Sequence, residues 1–411
     1  MSNNNGQLAF SLGNLPLGYP VDINMTEDPW SAELALHIEY ENLSVQSRAN
    51  IPSEELDREN FYSSDVSQET LKHYSEIVDR VKKIFGNDTN KTILEIGCGD
   101  GALLNLFRDA GFFVIGVEPC VHDQKDYGYT VYKQYFDPNV VREIKKYSGL
   151  VDCIIFNHVV ELVPDIDAFF QCLAQVASDK CHLLFESPYF GSFIKNMRID
   201  GFAHIICNWL TFNRVSYLCK KTDFGILDLN LLSDFRGGTM SVLAQKASKT
   251  HEYSQEVERT LKDERESLAP ENIAAFRSKI KEIKRSAFST IRQLQSEGMH
   301  IIGYGGGIKA SSLANFLELT VQDIPFTLDM DPYKQGKKIP LAGIPILDPE
   351  VKISGLTDSV AVLIFALDHK QEITKYLCAH LPLGSKIIDV FQTEKYTEVL
   401  KGMELLNKYE R

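Results

Sequence analysis

The sequence has no cysteine before Cys98, no C-x-x-C pair among its eight cysteines, and no apolar run near the roughly 18 residues that a membrane span needs. It also lacks a basic excess: 43 Lys and Arg stand against 56 Asp and Glu, a net charge of -13. Each absence excludes something. Without paired cysteines a zinc site is not expected. Thiols set in apolar runs such as IGCGDG and VDCIIF read as small hydrophobes of a reduced, cytoplasmic protein. An acidic chain has no general attraction for nucleic-acid backbones or anionic lipid, so neither is expected as a partner. The opening MSNNNGQLAF has no basic stretch ahead of an apolar core, so no secretory signal is expected there.

What is present is a regular alternation of β and α signals. At 411 residues, two or three domains are expected. Residues 1–70 read as a small irregular module punctuated by Gly13, Pro16, Gly18, Pro20, Pro29 and Pro52, around a strand in ALHIEYENLSV. LKHYSEIVDRVKKIF places Tyr74, Ile77, Val78, Val81 and Ile84 on one helical stripe. From residue 92, TILEIG, FFVIGVEP, VDCIIFNHV and CHLLFES alternate with helices. Runs rich in Val, Ile and Phe on both faces predict a doubly wound α/β sheet over 71–247. Residues 248–297 predict one long amphipathic helix with Ile273, Phe276, Ile280, Ile283, Ala287, Ile291 and Leu294 on its apolar face. A second Rossmann-like α/β lobe is expected over 298–411.

Two glycine loops carry the chemistry. In the first, Glu95, Gly97, Gly99 and Gly101 fall at E-x-G-x-G-x-G spacing between a strand and a helix. There the backbone can approach a ligand and the helix offers free N–H groups. The next strand ends at Glu118-Pro119, a carboxylate placed to accept ribose hydroxyls. An acid ahead of the glycines would repel a pyrophosphate but attract a sulfonium and an ammonium. The loop thus resembles that of class I S-adenosyl-L-methionine (SAM) methyltransferases, with NAD as the rival. Phe136, in YFDP, falls where adenine contacts come, and Asn157 ends the strand bordering the methyl donor.

The second loop, Tyr304, Gly305, Gly306 and Gly307, precedes Lys309, backbone amides plus a cation suited to a diphosphate. Asp329 ends the following strand, and Lys334 lies in the segment after it.

Together the motifs resemble the nucleotide-sugar C-methyltransferase family, enzymes that methylate a ketosugar carried on a nucleoside diphosphate. Leu12-Gly13-Asn14-Leu15-Pro16-Leu17 is similar to the family's LG-x-x-PL stretch. Phe61-Tyr62-Ser63-Ser64 is similar to YYSS, and Gly237-Gly238-Thr239-Met240 to GGSLR. Gly303 to Lys309 and Asp331 to Gly336 resemble GYGAAAKG and N-P-x-K-Q-G. The resemblance implies a SAM cofactor, a nucleotide-linked small-molecule substrate and a monomer or homodimer.

This chain departs from the family at two places. The family's four N-terminal zinc cysteines are missing, with Glu39 and Asn42 where one pair would fall, which implies a module remnant without metal. The family's Tyr-x-Glu-His block is replaced by Ala203-His204-Ile205-Ile206, and a family histidine after the fourth strand by Glu161. His204, Glu161 and the retained Tyr62 are therefore the expected proton acceptors. Methyl transfer to a neighbouring oxygen or nitrogen, a SAM-binding partner protein without turnover, and NAD in the second lobe are the alternatives.

Overall fold

The computed structural model describes residues 6–27, 29–49, 51–52, 68–120, 126–233, 235, 237–246, 253–389, 391 and 396–399. Tyr62 lies outside them. Among the described residues no helix is long and apolar enough to cross a membrane.

The N-terminal segment is not irregular. It holds β1 (Gln7–Pro16), β2 (Val21–Asp22), β3 (Ser31–Glu39) and β4 (Ser44–Ser47). Register shifts between Leu8 and Phe10 and between Ser11 and Asn14 let β1 absorb Gly13, at φ 83°, without breaking its pairing to β3. Gly13 thus marks a bulge within a strand, while Gly18, Pro20 and Pro29 lie in the links between strands. Where one cysteine pair would fall, Asn42 Nδ2 donates to Glu39 Oε2 at 3.2 Å and Asn42 Oδ1 accepts from Ser44 N at 2.8 Å, so side chains close the β3–β4 turn.

Next come α1 (Gln68–Phe85), β5 (Thr92–Ile96), α2 (Ala102–Asp109), β6 (Phe113–Val117), β7 (Thr130–Tyr132), α3 (Pro138–Tyr147), β8 (Val151–Asn157), α4 (Ile166–Val176) and β9 (Ala177–Pro188). They are followed by α5 (Phe190–Lys195), β10 (Asn208–Trp209), α6 (Phe212–Lys221), β11 (Phe224–Leu232) and β12 (Thr239–Lys246). Seven of these strands form one sheet in the order β11-β12-β9-β8-β5-β6-β7. From β7 to β9 all pairs are parallel, and β12 enters antiparallel between β9 and β11. Counted within the sheet the order is 3-2-1-4-5-7-6, the class I methyltransferase arrangement. Its reversal between β5 and β8 puts the first glycine loop at the switch point, where ligands bind in open α/β sheets.

The expected single connector helix is two, α7 (Gln255–Ser267) and α8 (Pro270–Ser296). Pro270 cannot continue a preceding helix, and Ala269 before it is extended at φ -59°, ψ 153°. The seven residues expected on the apolar face of α8 are all buried, in one core with β1, β3 and the C-terminal lobe.

That lobe contains β13 (His300–Tyr304), α9 (Ile308–Phe316), β14 (Thr327–Leu328), β15 (Lys337–Lys338), β16 (Ile346–Leu347), α10 (Pro349–Ile353), β17 (Val360–Ile364), α11 (Lys370–His380), β18 (Lys386–Asp389) and β19 (Tyr396–Glu398). Its sheet runs β16-β14-β13-β17-β18-β19, parallel except for β19. The N-terminal segment grips both lobes: β4 pairs with β10, and β2 with β15.

Candidate functional site

Ile96 pairs with Val117 at the ends of β5 and β6, so the first glycine loop and Glu118 leave the sheet side by side. Glu118 Oε2 accepts from Gly99 N at 2.9 Å, and its Oε1 accepts from Cys120 N at 3.0 Å. Gly97, Gly99 and Gly101 have φ of 73°, 52° and 79°. A Cβ on Gly97 would stand 2.3 Å from Val159 Cγ2, and one on Gly101 2.3 Å from the Tyr129 hydroxyl. One on Gly99 would meet nothing within 4 Å. The loop is packed beneath and open above Gly99. Two tyrosines that the sequence reading missed brace it: Tyr127 donates to Gly99 O at 3.0 Å and Tyr129 to Gly101 O at 3.3 Å.

Glu95 is buried under this loop and its Oε2 has no hydrogen-bond partner. Burial, then the nearby Glu118 and Asp100, pushes its carboxyl up to about 8. At the end of β8, both polar atoms of the Asn157 side chain are buried without partners. The register of Glu95 with Ile155 carries Asn157 level with Gly97. Phe136 packs edge-on to Phe169 at 5.5 Å, and Pro119 is half-buried beside Glu118. Orphaned Glu95 and Asn157 atoms, an open glycine and a carboxylate at the sheet edge fit a ligand with a cationic end and ribose hydroxyls. These residues suit SAM.

Beyond Asn157 the chain turns sharply, with His158 at φ 56°. His158 N donates to Glu186 O at 2.9 Å, and its Nδ1 lies 3.5 Å from Glu161 Oε1. Glu161 is buried, with Oε2 accepting from Ser187 Oγ at 3.1 Å and its carbonyl accepting from Cys207 N at 2.8 Å. From α1, His73 Nε2 reaches Glu186 Oε2 at 2.7 Å. Both histidine rings pack on Phe235, at 4.5 Å for His73 and 6.2 Å for His158. His73, His158 and Glu186 were not singled out in sequence.

His204 does not join this group. It is buried against Trp30, with ring centroids 5.0 Å apart, and its Nε2 lies 3.0 Å from Ala32 O on the N-terminal sheet. Burial lowers its pKa, although the Ala32 and Leu15 carbonyls work the other way. Among the described residues no group of three or more His, Cys, Asp or Glu could hold a metal ion.

The second loop repeats the first. Gly306 N donates to Asp329 Oδ2 at 2.8 Å, as Gly99 N does to Glu118. Gly305, at φ 112°, abuts Ala366, and Tyr304 is buried at the end of β13. Lys334 Nζ sits between Asp329 and Asp331 at 3.4 and 3.2 Å, and its side chain passes about 4 Å from a Cβ built on Gly307. Lys309 is ion-paired to Asp368 and lies 4.0 Å from Asp200. Arg198 pairs with both of those aspartates at 2.6 Å.

Residues 68–228 match a methyltransferase domain family, and residues 234–390 match the C-methyltransferase C-terminal domain. The chain is 25% identical to the C-methyltransferase NovU of Streptomyces niveus over 323 residues, 77% of this chain and 76% of that one. Among solved structures it is similar to the 1,6-didemethyltoxoflavin-N1-methyltransferase of Burkholderia thailandensis, at 13% identity, TM-score 0.37, covering 50% of this chain and 96% of that chain. It is also similar to the magnesium protoporphyrin IX methyltransferase of Synechocystis, at 14% identity, TM-score 0.31, covering 43% and 79%. With the 3-2-1-4-5-7-6 sheet, a methyltransferase domain followed by a C-methyltransferase C-terminal domain, and a C-methyltransferase as relative over both, the chain is a SAM-dependent methyltransferase.

Proposed function

We propose that this enzyme methylates a small acceptor carried on a nucleoside diphosphate, a nucleotide-linked sugar, at a carbon beside a keto group or at a neighbouring oxygen or nitrogen. The observation that carries the reading is the repeated loop: Glu118 on Gly99 and Asp329 on Gly306, one in each α/β sheet. In each, an acid at the end of the second strand stands where ribose hydroxyls would be received.

On this reading residues 71–247 hold the cofactor, 248–297 connect, and 298–411 hold the nucleotide. Glu95 faces the methionyl end, Glu118 and Pro119 the ribose, Phe136 the adenine, and Asn157 the region of the methyl group. The bound cofactor supplies a methyl already activated on a sulfonium, so alignment provides much of the acceleration. Tyr304, Gly305, Gly306, Gly307, Asp329 and Lys334 hold the nucleotide. Lys309 exchanges its Asp368 partner for the diphosphate.

Calorimetry tests both halves. Glu118→Ala should weaken SAM and S-adenosylhomocysteine by roughly 1–3 kcal/mol, as charge-assisted hydrogen bonds are lost. Asp329→Ala should weaken a nucleoside diphosphate and leave SAM unchanged. Unaltered SAM affinity in the first variant sinks the cofactor assignment; unaltered nucleotide affinity in the second sinks the nucleotide site.

A further inference from the structure

We infer that His158, held by Glu161, is the proton acceptor for methyl transfer. The inference rests on the SAM-dependent reaction and deepens the reading of its acceptor site. His158 is the first residue past the strand that ends at Asn157. The next residue, Val159, packs its Cγ2 where a Gly97 Cβ would stand. The backbone at His158 is thereby held next to the glycine loop, and its imidazole packs on Phe235.

Its two ring nitrogens differ. Nδ1 faces Glu161 Oε1 at 3.5 Å, while Nε2 is buried with no hydrogen-bond partner. Glu161 is itself oriented by Ser187 Oγ on its other oxygen. A carboxylate on one ring nitrogen and a free lone pair on the other is the arrangement of an oriented general base.

His73 and His204 are committed elsewhere. His73 Nε2 is tied to Glu186 at 2.7 Å, and His204 lies against Trp30 and the Ala32 carbonyl. Backbone geometry agrees: a histidine at φ 56° carries strain of order 1 kcal/mol, a cost that clusters at functional sites. The charged and titratable groups around His158 are Glu161 on its own turn, Glu186 on β9 and His73 on α1. Glu161, replacing the family histidine, thus acts as a positioning residue for the imidazole three residues before it.

The step balances. His158 Nε2 takes the proton from the acceptor X–H, a C–H beside a ketone, an O–H or an N–H. The electron pair left on X forms the new bond to the methyl carbon as the methyl–sulfur bond breaks, and that bond's pair returns to sulfur in S-adenosylhomocysteine. The imidazolium, stabilised by Glu161, then gives its proton to water.

The test uses the full-length enzyme, its His158→Gln and Glu161→Gln variants, and a panel of nucleoside diphosphate 4-ketosugars. His158→Gln should reduce kcat roughly 100- to 10,000-fold with SAM affinity unchanged, and should abolish the acidic limb of the pH–kcat/KM profile. Glu161→Gln should keep that limb but lower kcat with SAM affinity unchanged, since the imidazole loses the group that orients it. An acidic limb that persists in His158→Gln, or turnover above a third of wild type, overturns the assignment. If wild type binds SAM but turns over none of the panel, the nucleotide-sugar reading fails on its own. Nitrogen NMR of histidine-labelled enzyme with S-adenosylhomocysteine then decides. A titrating His158 with the proton on Nδ1 below full protonation upholds the inference. A His158 that holds the proton on Nε2, or does not titrate between pH 5 and 9, overturns it.

Discussion

Arg198 Nη2 lies 2.6 Å from Asp368 Oδ1, joining residues 170 positions apart on the two lobes. Asp368 also binds Lys309, whose ammonium stands 4.0 Å from buried Asp200. Burial alone would raise the Asp368 carboxyl, but Lys309 and Arg198 outweigh it and hold the group at about 2. This stabilisation is fully present above the ordinary aspartate value and is lost as pH falls from there through about 2. Asp368→Asn should therefore cost about 2 kcal/mol at pH 7, read by chemical denaturation, with a smaller difference from wild type at pH 3.

Glu95 gives the opposite pH dependence. With its carboxyl near 8, stability without cofactor is fully present below the unfolded glutamate value and is lost as pH rises through about 8. A cationic ligand favours the carboxylate, so SAM affinity should rise severalfold per pH unit between 6 and 8 and then level. Calorimetry in buffers of different ionisation enthalpy should show proton release at pH 7. In Glu95→Gln the pH slope and the proton release should both vanish.

Gly97 and Gly99 should separate folding from binding. Alanine at Gly97 drives a methyl into Val159 at a positive φ, and should cost about 2 kcal/mol of stability, partly recovered by adding Val159→Ala. Alanine at Gly99 meets nothing within 4 Å and should cost only about 1 kcal/mol from its φ. Its methyl nevertheless fills the open face of the loop, so SAM affinity should fall more than tenfold. Thermal melts with and without SAM read both effects.

Glu264 on α7 is buried and accepts from Phe212 N, Asn213 N and Asn213 Nδ2 at 2.8, 2.7 and 2.7 Å, closing the N-terminus of α6. Glu264→Ala leaves these donors unpaired and should cost about 3 kcal/mol, seen as a lower denaturation midpoint with unchanged slope.

The parts of this site legible in sequence were those with local signatures. Glu95 and the glycines announce a strand, a positive-φ turn and a helix within ten residues, and the stripe on α8 repeats at threes and fours. What escaped depends on distant partners. Tyr127 and Tyr129 reach loop carbonyls 28 positions back, a pairing without a spacing rule. His158 sat at the end of an apolar run and read as part of the strand; its left-handed φ, just before Val159 packs on Gly97, has no signature in the sequence. Lys309 carries the motif position of a phosphate grip, but nothing near it in sequence foretells Asp368, 59 residues on. The break at Ala269 is marked by Pro270, and the helix before it, which buries only Val257 and Glu264, has no comparable apolar stripe to announce it.

The strapping of both lobes by the N-terminal strands has a consequence for how the chain reaches this state. Gln46 meets Asn208 across 162 residues, and the Met25 carbonyl meets Lys338 across 313. During synthesis β2 and β4 emerge long before β15 and β10 exist. Closing such loops costs entropy that only the finished contacts repay. β2 is therefore secured long after it is made, and until the ribosome passes Lys338 its edge stays open to wrong pairing.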